Sequence, residues 1–250
     1  MLRVRYDEGP LRGMPAILDL LHKAYNIDFA SYKPTTITRR IARRLSLDLS
    51  GTNVEDYARR LATDPNELNL LYKDLLIGVT RFFRDPEAFD LVRDQVIPGI
   101  LDQIPTGQEV RVWICGCSTG EEAYSLAILF LEAFASQGRV PLIKVLATDL
   151  HEQSVQVASE GVYREEALTE VPEGLRTAYF EPQGEGRWKV LPHLRQSLVF
   201  SVHNLLKDPP FTKIDLVSCR NLLIYLLPNA QAKAIANFHY ALRLNGVLFL

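Results

Sequence analysis

Cysteine is scarce in this chain, and long apolar runs are missing. The three cysteines, Cys115, Cys117 and Cys219, have the spacing of neither a zinc site nor a redox pair, so we expect buried free thiols and no bound metal. No run approaches the roughly 18 apolar residues of a membrane span, and the N-terminus has no secretory leader pattern. The sequence therefore predicts a cytoplasmic protein without membrane insertion.

An excess of charge of either sign is also missing. Lys and Arg number 28 and Asp and Glu 30, which leaves a net charge of -2. Such a chain has no global field of the kind that attracts nucleic acid, and we predict no nucleic-acid partner. Hydrophobic residues make up 47% of the 250 residues, which is enough to bury a core.

Two kinds of pattern divide the chain. Over residues 15–76, apolar residues recur at helical spacing, and a small helical domain is predicted there. After a linker with the first helices (77–109), strand-like runs alternate with helical patterns over 110–250, which predicts a doubly wound parallel sheet of the α/β class. A hairpin insertion is expected at about 178–198. Because the chain stops inside a predicted strand, we expect a fragment whose C-terminal strands are missing.

The stretch "RVWICGCSTGEEAYSLA" predicts a strand, a small-residue turn and a helix start. In a dinucleotide fold such a turn receives a phosphate, because helix starts favour anions, yet here it carries Glu121 and Glu122. A ligand with a nucleoside and a cationic tail fits better, and S-adenosylmethionine is such a ligand. Asp149 ends the next predicted strand, where a ribose-binding carboxylate is expected. The alternative is a capping box of Glu with Ser118 or Thr119, which needs no ligand.

Polar side chains stand at two further places of interest. In "GVTRFFRDPEAF", two aromatic residues are flanked by Arg81 and Arg84, and the stretch is either a core plug with solvated arginines or a lid over an adenosine site. In "DLVSCRNLLIYL", Arg220 and Asn221 follow a strand at the ligand edge of a parallel sheet, and Tyr225 comes shortly after. Asn221 could instead cap the next turn.

A basic run without an acid lies in the helical domain. It consists of Lys33, Arg39, Arg40, Arg43 and Arg44. By helical spacing, Arg40, Arg43 and Arg44 share one face. A solvated face is the default interpretation of such a run, and a surface for an acidic partner helix is the alternative.

Taken together, these stretches resemble the CheR family of chemotaxis receptor methyltransferases. The resemblance covers residues 15–250 and is carried by "VTRFFRDPEAF", "VWICGCSTGEEAYSLA", "ATDL" with "ASEGVY", "VFSVHNLL", "DLVSCRNLLIYL" and "ALRLNGVLFL". It implies a Rossmann-like methyltransferase sheet after a small all-α domain. It also implies transfer of a methyl group from S-adenosylmethionine to glutamate side chains, with S-adenosylhomocysteine as product and the cytoplasmic helices of methyl-accepting chemoreceptors as partner.

The resemblance implies roles for individual residues. Arg84 and Tyr225 are expected nearest to the transferred methyl, as catalytic residues. The implied cofactor-binding residues are Thr80, Arg84, Glu121, Glu122, Asp149, Asn204, Leu205, Arg220 and Asn221. Which of the adjacent Glu121 and Glu122 contacts the cofactor stays open, with Glu122 favoured. The implied receptor-binding residues are Arg39, Arg40, Arg43 and Arg44. Gly78 stands where many members have Asn, so that contact is not expected here.

The stretches "LIGVTRFFRD" and "FHYALRLNGVLFL" resemble the sequences of members that are fused to a CheB-like methylesterase and to sensory domains. Such a fusion would account for the early end of the chain. The alternative function is a catalytically inactive S-adenosylmethionine-binding scaffold or sensor domain in a larger signalling protein. Both functions predict cofactor binding, so only methyl transfer separates them.

Overall fold

A computed structural model of the chain describes residues 13–47, 53–76 and 78–250. The N-terminal residues used to exclude a leader, five residues inside the predicted helical domain and the first residue of the predicted linker lie outside the described residues: 1–12, 48–52 and 77. Within the described segments, no helix has the length and apolar character that a membrane crossing needs.

The first of two compact units is helical and comprises the described residues up to Leu76 together with Tyr225–Ala230. Its helices are α1 (Met14–Tyr25), α2 (Pro34–Leu47), α3 (Val54–Thr63) and α4 (Pro65–Leu75), with a 3-10 turn at Phe29–Ser31. Asn53 and Asp64 precede α3 and α4, and their side chains accept N–H groups of the first turn. The predicted all-α N-terminal region is confirmed.

Arg44 is held inside this helical unit. Its Nε and Nη2 lie 3.0 and 2.7 Å from the two carboxylate oxygens of Glu67, and the Tyr57 hydroxyl donates to the same carboxylate at 2.8 Å. The side chains of Arg44 and Glu67 are only 15% and 8% exposed. This corrects the expectation that Arg44 belongs to a partner-binding surface. The other three arginines of the run have no ion-pair partner in the part of the chain that the structure describes: Arg39, Arg40 and Arg43.

The second unit, Gly78–Ile224 with Gln231–Leu250, contains a five-stranded parallel sheet in the order β6-β2-β1-β7-β8. Its strands are β1 (Val110–Cys115), β2 (Ile143–Asp149), β6 (Leu198–Val202), β7 (Ile214–Ser218) and β8 (Leu242–Phe249). The main connecting helices are α5 (Pro86–Leu91), α6 (Ile97–Gln103), α7 (Glu121–Ser136), α8 (Glu152–Glu160) and most of α11 (Pro228–Ala241), with a π-helical turn at Val92–Val96. The predicted Rossmann-like sheet is confirmed.

The strand order reverses between β1 and β7. From β1 the chain continues to β2 and β6 on one side, and then returns to β7 and β8 on the other. In open α/β sheets, ligands bind outside the carboxyl ends of the strands at such a switch point. The fold therefore predicts a ligand site at the residues that follow Cys115 and Ser218.

A small antiparallel sheet, in the order β3-β5-β4, completes this unit. It comprises β3 (Val162–Arg164), β4 (Phe180–Gly184) and β5 (Arg187–Val190), with short helices α9 (Glu173–Tyr179) and α10 (Pro192–Arg195) beside it in the sequence. The expected hairpin consists of β4 and β5, whereas β3 lies before the range predicted for it. Helix α8 ends at Gly161, whose φ of +64° favours glycine and where a Cβ would lie 2.9 Å from the Tyr124 hydroxyl.

The three cysteines are free and buried, as predicted. Cys115 and Cys219 belong to one apolar cluster with Trp113 and Phe238, and burial raises the pKa of the Cys115 thiol well above its ordinary value.

Candidate functional site

The loop between β1 and α7 has a backbone that only particular residues allow. Gly116, Ser118 and Gly120 have positive φ values of 76°, 49° and 98°. A Cβ at Gly120 would lie 2.9 Å from the Cβ of Ala158, so packing against α8 requires glycine there. Packing within the protein therefore determines the backbone conformation of the loop at Gly120.

Asp149 joins this loop to the end of β2. One of its carboxylate oxygens accepts the N–H of Ser118 at 2.8 Å, and the other accepts the N–H of His151 at 2.9 Å. Burial raises the pKa of Asp149, and these two backbone N–H bonds oppose that effect only in part. No lysine or arginine among the described residues lies within ion-pair distance of Asp149.

The capping-box alternative is wrong, because the helix begins too late for it. In a capping box the Glu stands at the third position of the helix, but α7 begins at Glu121 with Gly120 as its cap residue and no side-chain cap bond. Glu121 and Glu122 therefore occupy the first two positions. The Glu121 carboxylate instead accepts from the Thr119 hydroxyl, at 2.7 and 2.9 Å.

Glu122 lies across the switch point. Its Oε1 accepts a hydrogen bond of 2.6 Å from the hydroxyl of Ser218 at the end of β7, and its Oε2 lies 3.5 Å from Nη1 of Arg220. Burial raises the pKa of Glu122, while the Ser218 bond and the charges of Arg220 and Arg84 lower it by less. Glu122 is thus a largely buried carboxylate held at the place where the fold predicts a ligand.

Arg220 is enclosed on several sides. Its Nη2 donates to Asp85 at 2.7 Å, and its guanidinium lies 5.2 and 4.7 Å from the ring centroids of Phe89 and Phe249. The side chain is only 4% exposed, and its predicted contact with the cofactor stays a prediction. The neighbouring Asn221 is exposed, and its side chain makes no hydrogen bond to another described residue, so it does not cap the next turn.

The stretch "GVTRFFRD" forms a turn that packs on α7. Phe82 is fully buried, with its ring 5.0 and 5.5 Å from the rings of Tyr163 and Phe180, so for this residue the core-plug alternative is confirmed over the lid. Arg81 is exposed and lies 3.5 Å from Glu170. Arg84 is half-buried and donates to the C=O of Val79 at 2.7 Å.

Thr80 is half-buried in the same turn, four residues before Arg84. Of these two predicted site residues, Arg84 lies close enough to Glu122 for its charge to lower the pKa of that carboxyl.

Asn204 and Leu205 follow β6 and lie beside the end of β2. The preceding His203 donates its N–H to the C=O of Asp149 at 3.0 Å. The Asn204 side-chain oxygen accepts the N–H of Leu206 at 3.0 Å, and the Leu205 side chain is buried in the cluster around Trp113. The Asn204 N–H already donates to Asp208 and the Leu205 C=O already accepts from Asn237, which leaves the Asn204 amide nitrogen to meet a ligand.

Tyr225 is grouped with the helical unit, where its C=O accepts the N–H of Lys33 at 2.8 Å. Its expected place beside the transferred methyl stays a prediction.

Two residues that were not predicted from the sequence, Ser218 and Asp85, also belong to the site. Ser218 is the polar last residue of a buried strand, and that polarity was a usable signal. Asp85 directly precedes α5, but it has a φ of 60° and makes no cap bond. Its carboxylate pairs with Arg220, 135 residues away. No local pattern reveals such a contact.

The chemistry of these groups fits a cationic nucleoside. Glu121, Glu122 and Asp149 place three carboxylates at the ends of β1 and β2, whereas Arg220 is already paired with Asp85. Burial raises the pKa of each of the three carboxyls, so an added positive charge would stabilise their ionised forms. A phosphate would be repelled, while the ammonium and sulfonium of S-adenosylmethionine suit the site.

A parallel sheet of this topology with an acidic loop after β1 defines the class of S-adenosylmethionine-dependent methyltransferases. Residues 78–250 match the family described as "CheR methyltransferase, SAM binding domain", and residues 13–76 match "CheR methyltransferase, all-alpha domain". The chain therefore belongs to the CheR methyltransferase family. The predicted cofactor, S-adenosylmethionine, is confirmed by this membership.

Curated relatives agree with the family. The chain is 32% identical to "Chemotaxis protein methyltransferase" of Listeria innocua over 90% of this chain and 82% of that protein. It is 31% identical to "Chemotaxis protein methyltransferase 2" of Pseudomonas aeruginosa over 93% of this chain and 82% of that protein. An "Uncharacterized 104.1 kDa protein in hypE 3'region" of Rhodobacter capsulatus is 41% identical over 96% of this chain, which spans 25% of that relative's length.

Proposed function

We propose that this chain transfers a methyl group from S-adenosylmethionine to glutamate side chains of methyl-accepting chemoreceptors. The observation that carries the proposal is Glu122, a buried carboxylate fixed at the switch point of a methyltransferase sheet by Ser218 and Arg220. Membership of the CheR family supports the substrate class. Receptor methylation helices are cytoplasmic, so we place the reaction in the cytoplasm.

Two carboxylates would hold the two ends of the cofactor. Asp149 is suited to the ribose hydroxyls, because each of its oxygens keeps a lone pair beyond the N–H group that it already accepts. Glu122 is suited to the ammonium group of the methionine part, because Ser218 and Arg220 hold it at the switch point, while Glu121 is tied to Thr119.

The remaining expected cofactor contacts surround these two. Thr80 and Arg84 come from the turn before α5, Asn204 and Leu205 from the loop after β6, and Asn221 from the loop after β7. These segments converge on the carboxyl ends of the strands, which is where the fold predicts the ligand. We therefore keep them as proposed contacts.

The cofactor supplies a methyl group bonded to a positively charged sulfur. A glutamate carboxylate has an unperturbed pKa of about 4.3 and is ionised at neutral pH, so the chain needs no general base. Its task is to align the carboxylate oxygen with the methyl, and positioning of this kind can lower a barrier by up to about 7 to 11 kcal/mol.

Arg84 is the proposed residue for this alignment. Its guanidinium has five N–H donors and uses Nη1 on the C=O of Val79, which leaves donors for an incoming carboxylate. The Tyr225 hydroxyl is proposed to orient the same group by a further hydrogen bond.

The helical unit is proposed to recognise the receptor. Arg39, Arg40 and Arg43 have no ion-pair partner among the residues described, and an acidic helix would complement their charge. Arg44 is left out of this surface, because Glu67 holds it.

The direct test is methyl transfer with labelled S-adenosylmethionine and a receptor cytoplasmic fragment. The expected product carries alkali-labile label, as a glutamate methyl ester does, and a fragment whose methyl-accepting glutamates are replaced by alanine remains unlabelled. Cofactor binding without any label would contradict the proposal and support the scaffold alternative.

A further inference from the structure

Ser125 on α7 is fully buried and has hydrogen bonds in two directions. Its Oγ accepts the N–H of Phe83 at 3.0 Å and donates to the C=O of Glu121 at 2.7 Å. The first bond leads from α7 to the turn that carries Arg84. The second leads to the helix start that carries Glu122, so one hydroxyl links the two sides of the proposed cofactor site.

The turn has a backbone that needs support from its surroundings. Phe83 and Asp85 have positive φ values of 48° and 60°, which are unfavourable for residues with a side chain. Such conformations persist where neighbouring groups hold them in place. The buried Phe82 ring holds one side of the turn and the ion pair of Asp85 with Arg220 holds the other, while Ser125 holds the backbone between them.

Helix stability does not explain a serine at this position. Alanine has a higher intrinsic helix propensity than serine, and a hydroxyl bond to the C=O four residues earlier slightly destabilises a helix. The feature that alanine would lack is the acceptor for the N–H of Phe83. The contact to the turn therefore accounts for the hydroxyl.

We propose that Ser125 is a positioning residue for the cofactor site. By fixing the backbone at Phe83, its hydroxyl sets Thr80 and Arg84 at the distance from Glu122 at which they bind the cofactor. The identity of the ligand, S-adenosylmethionine, rests on the proposed function.

The test compares S-adenosylmethionine affinity in the full chain and in matched variants. Tyr124→Phe is the control, because Tyr124 is the adjacent, fully buried residue and its hydroxyl donates a bond of 2.7 Å to Ala158 on α8, not to the turn. Ser125→Ala is expected to raise the dissociation constant about tenfold, as loss of one partner of a buried hydrogen bond does. Tyr124→Phe is expected to change it by less than about twofold, although both variants melt at lower temperature.

Rescue separates positioning from general packing. Ser125→Thr keeps the hydroxyl, and threonine in a helix can make the same bond to the C=O four residues earlier, so its affinity is expected within about threefold of the original chain, well short of the tenfold loss for alanine. An unchanged affinity in a folded Ser125→Ala variant, or an equal loss in Tyr124→Phe, would overturn the proposal.

Should Ser125→Ala fail to fold, Ser125→Cys takes its place, since a thiol is similar in size and a weak acceptor. A clear loss of affinity in that folded variant supports the proposal, and an unchanged affinity overturns it. The readout is cofactor binding, so a chain that binds S-adenosylmethionine but transfers no methyl would contradict the proposed function and leave this test decisive.

Discussion

The carboxylate of Glu122 accepts a hydrogen bond of 2.6 Å from the hydroxyl of Ser218, 96 residues later in the chain. The two residues stand at the ends of neighbouring elements of the switch point, at the start of α7 and the end of β7. The bond fixes the direction of a largely buried carboxylate, and our proposal that Glu122 rather than Glu121 meets the cofactor rests on it.

Removal of the Ser218 hydroxyl should weaken cofactor binding. In Ser218→Ala, Glu122 loses its shortest hydrogen bond, and its pKa rises further because burial is opposed by one group fewer. We expect the dissociation constant for S-adenosylmethionine to rise about tenfold at neutral pH, measured by titration calorimetry. Ser201→Ala, at an exposed hydroxyl near the end of β6, is the control, and equal effects of both changes would contradict the role of Ser218.

Arg84→Ala should reduce turnover far more than stability. Arg84 is half-buried and makes one hydrogen bond to another described residue, so we expect a loss of about 1 kcal/mol in unfolding free energy and a fall in kcat of roughly a hundredfold or more. The matched control is Arg81→Ala, which removes an exposed ion pair to Glu170 worth at most about 1 kcal/mol. Full methyl transfer by Arg84→Ala would remove this residue from the mechanism.

Cofactor binding should depend on pH through the buried carboxyls. Burial raises the pKa of Glu122 and that of Asp149 above their ordinary values, which are about 4.3 and 3.9. A cationic ligand binds the ionised forms, so affinity is full above the raised pKa values and falls as pH drops through them.

The stability of the free protein depends on pH in the opposite direction to cofactor affinity. A raised folded-state pKa gives stability that is present below the unfolded value and lost as pH rises through the folded value. Because cofactor affinity falls on acidification, the increase in Tm caused by S-adenosylmethionine should be large at neutral pH. It should shrink at pH values above those at which ordinary carboxyls titrate. Glu122→Gln should flatten this profile, and a Tm increase that is constant down to about pH 5 would contradict the charge complementarity.

Arg44→Ala and Arg43→Ala should separate stability from receptor binding. Arg44 and Glu67 form a largely buried pair, and its loss should cost about 3 kcal/mol of unfolding free energy, measured by denaturant titration. Arg43 is exposed and unpaired among the described residues, so its loss should leave stability within about 0.5 kcal/mol. Arg43→Ala should also weaken binding to an acidic receptor fragment, and the loss of affinity should be greater at low salt. Equal receptor affinity at all salt concentrations would argue against this surface.

Periodicity predicted the helices and the parallel strands because buried apolar runs determine both. The capping box failed because its position depends on the backbone at Ser118 and Gly120, whose positive φ values delay the helix start. Strand β3 was missed because Gly161 ends α8 inside an otherwise helical pattern. Arg44 was misplaced, since its partner Glu67 lies on another helix.

The most direct test of methyl transfer measures labelled methyl on a receptor fragment as a function of S-adenosylmethionine concentration, for the unchanged chain and for Glu122→Gln. The substitution keeps an acceptor for Ser218 and removes only the charge. We predict alkali-labile label on glutamate with the unchanged chain, and a KM for S-adenosylmethionine raised roughly tenfold to a hundredfold in the variant, as loss of one charged hydrogen bond gives. Saturable cofactor binding with no label would contradict the proposed methyl transfer, and equal KM values would contradict the proposed role of Glu122.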